Sequence, residues 1–311
     1  MMTEIFKKYG TIIGLMIIII TFAILRPNTF LSLRNWSNIL EQISLLAVIS
    51  VGATVVMVIG EFDLSIASVA SFAGIITAGL LVQGFSMYLV IPAVLLLSFA
   101  FGLINGFFVA KLNILSFITT LSSGTFLGGI TYWYSGGTII FSGIPDEFLI
   151  WGQGSFLNIA LVIWIMLIVA VVFWYIFNQT MLGRHLYAIG GNEKAARYSG
   201  IKVEKNKLIA FGLTAVLAAL TGILLASRLG SAHPTAGGGY LLRAYATVFL
   251  GMTLFKQGEA NVLGTLVGVL IMGVLANGLT LLNVPNYFQD MLTGSIIIAA
   301  LVFQGMTVKN N

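Results

Sequence analysis

The stretch from Asn192 to Gly200 carries the punctuation of a short helix, and the chemistry it suits is docking. It lies within Gly183-Arg184-His185-Leu186-Tyr187-Ala188-Ile189-Gly190-Gly191-Asn192-Glu193-Lys194-Ala195-Ala196-Arg197-Tyr198-Ser199-Gly200-Ile201. Asn192 is a good N-cap, because its side-chain oxygen can accept from an amide two or three residues on. Glu193 follows in the first turn and Arg197 near the last, each with the sign that the helix dipole favours. Gly200 can supply a left-handed stop. A helix of about two turns is unstable alone in water, so another surface must hold it. Its centre, Ala195-Ala196, is small enough to enter a groove on another protein. Gly183, Arg184, Gly191 and Ser199 complete the segment. The functional reading is a coupling helix that docks on a cytoplasmic partner. The plain alternative is a basic membrane-flanking loop that is capped by chance.

A second group is Glu61, Asp63 and Ser65, at a turn between two apolar runs. An ionisable residue at membrane depth is a functional candidate. At a helix boundary the plainer role for Asp63 is a solvated cap. Gln42, Asn105, Thr119, Tyr132, Asn277 and Asn283 lie in or beside apolar runs. A polar passage through lipid would need such neutral hydrogen-bonding groups and aromatic faces. The same groups serve equally as interhelical glue, worth about 0.6 kcal/mol each. Glu61, Asp63, Asn105, Tyr132 and Asn277 are taken as candidate pathway residues.

Catalytic chemistry finds no support. No Gly-x-x-x-x-Gly-Lys-Ser/Thr run exists to cradle a nucleotide, and no Gly-x-Ser-x-Gly elbow is present. Cysteine is absent, and His185 and His233 alone do not make the usual clustered zinc site. No catalytic residue, metal or cofactor is assigned.

These residues must be positioned by helices in lipid. The chain is 59% hydrophobic and 8% charged, against roughly 25% charged for soluble domains. Too little polar surface exists to face water all round. Thirty-five glycines suit close helix packing in a membrane. A span needs about 20 mostly apolar residues. Ten segments qualify or nearly so: 10–26, 42–60, 64–82, 86–110, 114–134, 156–177, 207–227, 243–256, 260–282 and 287–304. The first follows Lys7-Lys8 and precedes Leu25-Arg26-Pro27, with no small-residue cleavage site, so it reads as an uncleaved span. The eighth is short, opens on Arg243, and suits a broken or re-entrant element.

With Lys7 and Lys8 inside, only Arg26, Arg34, Arg228 and Arg243 of the 15 Lys and Arg residues fall outside. The positive-inside rule then puts both termini in the cytoplasm. The net charge of +5 is explained by sidedness, without a nucleic-acid partner. The connection 135–155, with Asp146 and Glu147, lies outside. The basic connection 178–206 lies inside and separates six helices from four. All are expected to form one transmembrane domain over 1–311. There is a faint internal echo: Asn105-Gly106 with Leu112-Asn113-Ile114, and Asn277-Gly278 with Leu282-Asn283-Val284. The helices carrying these pairs would run in opposite directions, as in an inverted repeat.

The loop motif resembles the coupling region of ribose-type ABC permeases, within the sugar and branched-chain amino acid permease superfamily. The shared residues are Gly183-Arg184, Ala188-Ile189-Gly190-Gly191-Asn192-Glu193, Ala196-Arg197 and Ser199-Gly200-Ile201. The likeness extends, in order, through Asn38-Ile39-Leu40, Asp63-Leu64-Ser65, Pro234-Thr235-Ala236-Gly237, Gly239-Tyr240, Gly264-Thr265-Leu266 and Asn277-Gly278-Leu279. It implies about ten spans and a second permease chain, identical or not. It also implies a cytoplasmic ATP-binding subunit and an extracytoplasmic substrate-binding protein. Where ribose permeases usually place acidic residues, this chain has Leu241-Leu242-Arg243, which leaves the sugar open.

The expected function is the permease subunit of an ABC importer in the bacterial cytoplasmic membrane, for a monosaccharide or related small polar solute. Nucleosides and amino acids are alternatives within the superfamily. The rival of another class is a self-contained secondary transporter, which would need an ion-coupling site near mid-membrane.

Overall fold

In lipid a backbone must satisfy its own N–H and C=O groups, so apolar runs of this length become helices. The computed structural model describes residues 2–254, 258–285, 287–296 and 298. Its long elements are α1 (Met2–Leu25), α3 (Leu33–Val58), α4 (Ile66–Val82), α5 (Met87–Ala110) and α6 (Ser116–Ser135). After the basic connection come α11 (Val203–Leu229), α12 (Gly238–Gly251) and α13 (Val262–Leu281), and residues 287–296 are helical again. α8 (Leu161–Gln179) precedes that connection. Short helices α2 (Pro27–Phe30), α7 (Asp146–Gln153), α9 (Met181–Gly191) and α10 (Glu193–Tyr198) link them. Among the described residues, α3, α5, α8, α11 and α13 are long and apolar enough to cross a membrane. The protein is thus an all-α, multi-pass membrane protein. Lys256, Lys309 and the end of the tenth apolar segment lie outside the described residues.

Three local differences from the sequence expectation have physical causes. Residues 156–160 do not join α8. Ser155–Phe156 (β1) and Ile159–Ala160 (β2) pair as a small hairpin instead. Leu157 and Asn158, both left-handed at φ 55° and 59°, turn it. α12 starts at Gly238, inside the glycine run, and not at Arg243. The chain comes so close to α4 just before this start that a Cβ on Gly237 would stand 2.0 Å from the Ala67 carbonyl oxygen. The connection 178–206 holds two helices where one was expected. The Thr180 hydroxyl caps α9 by accepting from the Gly183 amide, and Leu186 and Ile189 give α9 a buried face.

Contacts fix the helix directions. α3 runs antiparallel to α11, with Gly52 against Thr214 and Glu41 against Arg228. α3 is also antiparallel to α13, through Asn35–Asn277 and Thr54–Thr265. α5 is antiparallel to α11, with Gly102 against Phe211 and Gly106 against Leu208. α4 lies parallel to α11: a Cβ on Gly222 would stand 1.8 Å from the Ala70 carbonyl oxygen, and Gly74 faces Ala226. α12 is antiparallel to α13, with Gly251 against Gly264 and Thr247 against Gly268.

The helices α3, α4 and α5 therefore alternate in direction, and α11, α12 and α13 alternate in the opposite sense. The spacings Leu33 to Val203, Ile66 to Gly238, Asn105 to Asn277 and Asn113 to Asn283 agree to within two residues. Asn113 and Asn283 are both left-handed, at φ 54° and 58°, just past the ends of α5 and α13. Two structural units of opposite orientation account for the echo in the sequence.

Candidate functional site

The basic connection follows the end of α8 and packs back on the protein through Leu186, Ile189 and Ala196. Asn192 caps α10, its Oδ1 accepting from the Ala195 amide at 3.0 Å. The helix closes with the Gly200 amide donating to the Arg197 carbonyl at 3.1 Å, and Gly200 is left-handed at φ 82°. Cap and stop are where their residue types place them. The faces differ from expectation. Ala196 is buried against the protein's own core, whereas Lys194, Ala195, Tyr198 and Ser199 are exposed. Tyr198 is 91% exposed. The surface offered to another molecule therefore includes Ala195 but not Ala196, which anchors the helix. Gly183 is buried and Arg184 and Gly191 are exposed.

Charged groups tie α10 down. Glu193 Oε2 lies 2.8 Å from Lys207 Nζ on α11, and Arg197 reaches Glu193 at 3.4 Å and pairs with Glu204. The Lys207 hydrogen bond holds the Glu193 carboxyl below its usual range, against a smaller opposing effect of burial. Lys207 also lies 2.8 Å from Glu61 Oε1, with its side chain only 8% exposed. Sequence reasoning treated Lys207 as one of many flanking positive charges. Its burial between two carboxylates depends on helices that meet only in the fold.

Glu61 leads into the turn between α3 and α4, where Asp63 is fully buried. The Asp63 Oδ1 accepts from the Ser65 amide and hydroxyl, while its Oδ2 has no partner among the described residues. This is a cap-like carboxylate, but an enclosed one and not the solvated cap of the plain reading. Three neighbours satisfy the turn's backbone. The Phe62 amide donates to Ser116 Oγ, the Leu64 amide to Thr120 Oγ1 and the Asp63 amide to Tyr245 Oη. Asn105 on α5 donates from Nδ2 to Ser65 Oγ at 3.1 Å, and its Oδ1 has no partner among the described residues. Glu61, Asp63 and Asn105 thus converge around the start of α4. Ser116, Thr120 and Tyr245 join them and were not singled out from the sequence. They stand among other small polar residues such as Thr119, Ser122, Ser123 and Thr247, and their pairing is long-range.

Asn277 and Tyr132 lie elsewhere. Asn277 and Asn35 exchange two amide hydrogen bonds of 3.0 Å near the far end of α3. The 26-residue length of α3 puts that pair roughly 35–40 Å from Asp63. Tyr132 is exposed on α6.

A cavity of about 320 Å³ opens between α3, α12, α13 and the helix at 287–296. Gln42, Tyr240, Arg243 and Thr293 are among the side chains on its wall. Arg243 also pairs with Asp290 at 3.1 Å. The volume falls at the small end of the range for small-molecule sites, about 300–1,000 Å³. Among the described residues no cluster of His, Asp and Glu could hold a metal ion.

Comparison with known proteins bears on this arrangement. A family model described as branched-chain amino acid transport system / permease component matches residues 35–301. The ribose import permease protein RbsC of Haemophilus influenzae is 43% identical over 93% of this chain and 90% of its own length. RbsC of Escherichia coli K12 is 39% identical over 94% of this chain and 92% of its own. The L-arabinose transport system permease protein AraH of E. coli K12 is 35% identical over 96% and 91%. No solved structure matches the chain.

Proposed function

The chain belongs to the branched-chain amino acid transport system / permease component family, and from that membership we propose how it works. It is the permease subunit of an ABC-type sugar importer. Relatives named for ribose, D-allose and L-arabinose support a monosaccharide or related small polar solute as cargo. ATP hydrolysis falls to a separate cytoplasmic ATP-binding subunit. An extracytoplasmic substrate-binding protein delivers the solute. A second permease chain, identical or not, completes the pathway in the bacterial cytoplasmic membrane. Ten segments span the bilayer, with residues 7–8 and 309 on the cytoplasmic side.

The single observation that carries the mechanism is α10: a capped helix whose outer edge, Lys194, Ala195 and Tyr198, its own chain leaves uncovered. An ATPase seated there would push on the helix as it closes. The opposed units α3–α5 and α11–α13 would then re-pack between outward- and inward-open states. Solute would pass by the cavity beside Gln42, Tyr240 and Arg243 and by the cluster of Glu61, Asp63 and Asn105 at the start of α4.

The test is reconstitution. Liposomes holding this chain, its ATPase and its binding protein should accumulate sugar on ATP. The chain alone should neither hydrolyse ATP nor accumulate sugar on a proton gradient. Robust proton-driven uptake by the chain alone would establish a self-contained transporter instead.

A further inference from the structure

Three links hold α10 against the rest of the protein. Ala196 packs into the core, Arg197 pairs with Glu204, and Glu193 pairs with Lys207. The Arg197–Glu204 pair is exposed, at 50% and 34% of the two side chains, and such pairs are worth little. The Lys207 link is different in two respects. Its lysine end is nearly enclosed, at 8% exposure, although Glu193 itself is 43% exposed, so water screens it less than a pair exposed at both ends. It also continues, because the same ammonium holds Glu61 at 2.8 Å.

Beyond Glu61 the contacts run on without a gap. Phe62 packs on the rings of Tyr245 and Phe249, with centroids 5.4 and 6.2 Å apart. Tyr245 Oη bonds both the amide and the carbonyl of Asp63. Tyr245 and Phe249 belong to α12, a helix of only 14 residues. Its first half carries Tyr240 and Arg243, which wall the cavity. This short helix thus meets the turn through Tyr245 and Phe249 and the cavity through Tyr240 and Arg243.

We propose that Lys207 is a positioning residue that ties displacement of α10 to the α3–α4 turn, and through Tyr245 to α12 and the cavity wall. The inference rests on the reading of α10 as the ATPase-docking helix. A lysine suits the role because one compact ammonium can serve two carboxylates on different elements. When α10 shifts, Glu193 draws on Lys207, and Glu61 must follow or leave a buried charge uncompensated. Movement of Glu61 carries Phe62 and Asp63, and Tyr245 transmits it to α12.

The experiment uses the full complex in liposomes and measures sugar moved per ATP hydrolysed. Lys207→Met keeps the stem and removes the charge. Membrane abundance, ATPase co-purification and ATP hydrolysis should persist, while sugar moved per ATP should fall about tenfold or more. Lys207→Arg should recover the ratio to within about twofold, and Glu204→Gln should leave it there. An unchanged ratio in Lys207→Met would overturn the proposal. So would loss of abundance and ATPase binding together without rescue by Lys207→Arg, which would make Lys207 a structural brace. Failure of the wild-type complex to couple ATP to uptake is a separate result: it removes the docking reading itself.

Discussion

Tyr245 Oη stands 2.8 Å from the amide nitrogen of Asp63 and 2.9 Å from its carbonyl oxygen. One phenol on α12 thereby satisfies both backbone groups of a fully buried residue in the α3–α4 turn. Tyr245→Phe keeps the ring and removes the oxygen. It should cost about 1–3 kcal/mol, the penalty of leaving buried groups unpaired. A fall in the thermal midpoint of the detergent-purified protein is the measurement, and an unchanged midpoint would show that another group replaces the phenol.

The Asn35–Asn277 pair allows a cycle. Asn277→Leu removes the partner of Asn35 Oδ1 and of one Nδ2 hydrogen, the other remaining on the Phe30 carbonyl, and should destabilise by about 1–3 kcal/mol. Asn35→Leu together with Asn277→Leu removes both polar groups and should recover part of that loss, the bond from Asn35 to the Phe30 carbonyl being lost as well. Additive losses in the double variant would contradict a direct partnership.

The two central alanines of α10 should behave oppositely. Ala195→Trp projects outward and should block ATPase co-purification while the thermal midpoint holds. Ala196→Trp overpacks the core and should cost about 1–3 kcal/mol of stability. Gly200→Val forces a β-branched residue into a left-handed position, at about 1–2 kcal/mol, and should loosen the helix end. Full uptake in Ala195→Trp would reduce α10 to a connector.

Orientation can be read by labelling, since the chain has no cysteine of its own. Single cysteines at positions 146 and 233 should react with an impermeant reagent in intact cells. Cysteines at 7, 197 and 309 should not. Reaction at 197 but not at 146 would reverse the assignment.

The Glu193 carboxyl titrates below its usual value because of Lys207. Its folded pKa is lowered, so its contribution is fully present above the unfolded value of 4.5 and is lost as pH falls through the folded one. The difference in thermal midpoint between wild type and Glu193→Gln should therefore stay flat from pH 8 down to about 5 and shrink only in stronger acid. A difference that changes between pH 6 and 8 would assign the effect to another group.

Several features were legible in the chain because they are local. Asn192 and Gly200 bracket α10 through bonds and dihedrals within one turn of themselves. The apolar runs become helices because lipid offers their backbones no other partner. The Asn-Gly pairs at 105–106 and 277–278 gave a weak sign of two opposed units. Each pair lies on a helix end that is closed by a left-handed Asn.

The remainder depended on which surfaces meet. Asp63 looked like a solvated cap, because nothing near it in sequence encloses it; Ser116, Thr120 and Tyr245 do so from two other helices. Ala195 and Ala196 are the same residue type, and only the packing of α10 turns one outward and the other into the core. Lys207 was one positive charge among many until α10, α11 and the α3–α4 turn enclosed it between Glu193 and Glu61. Helix formation is decided by neighbours a few residues away, so the chain states it openly. Burial and charge pairing are decided by residues tens to hundreds of positions apart, and only the tertiary structure brings them together.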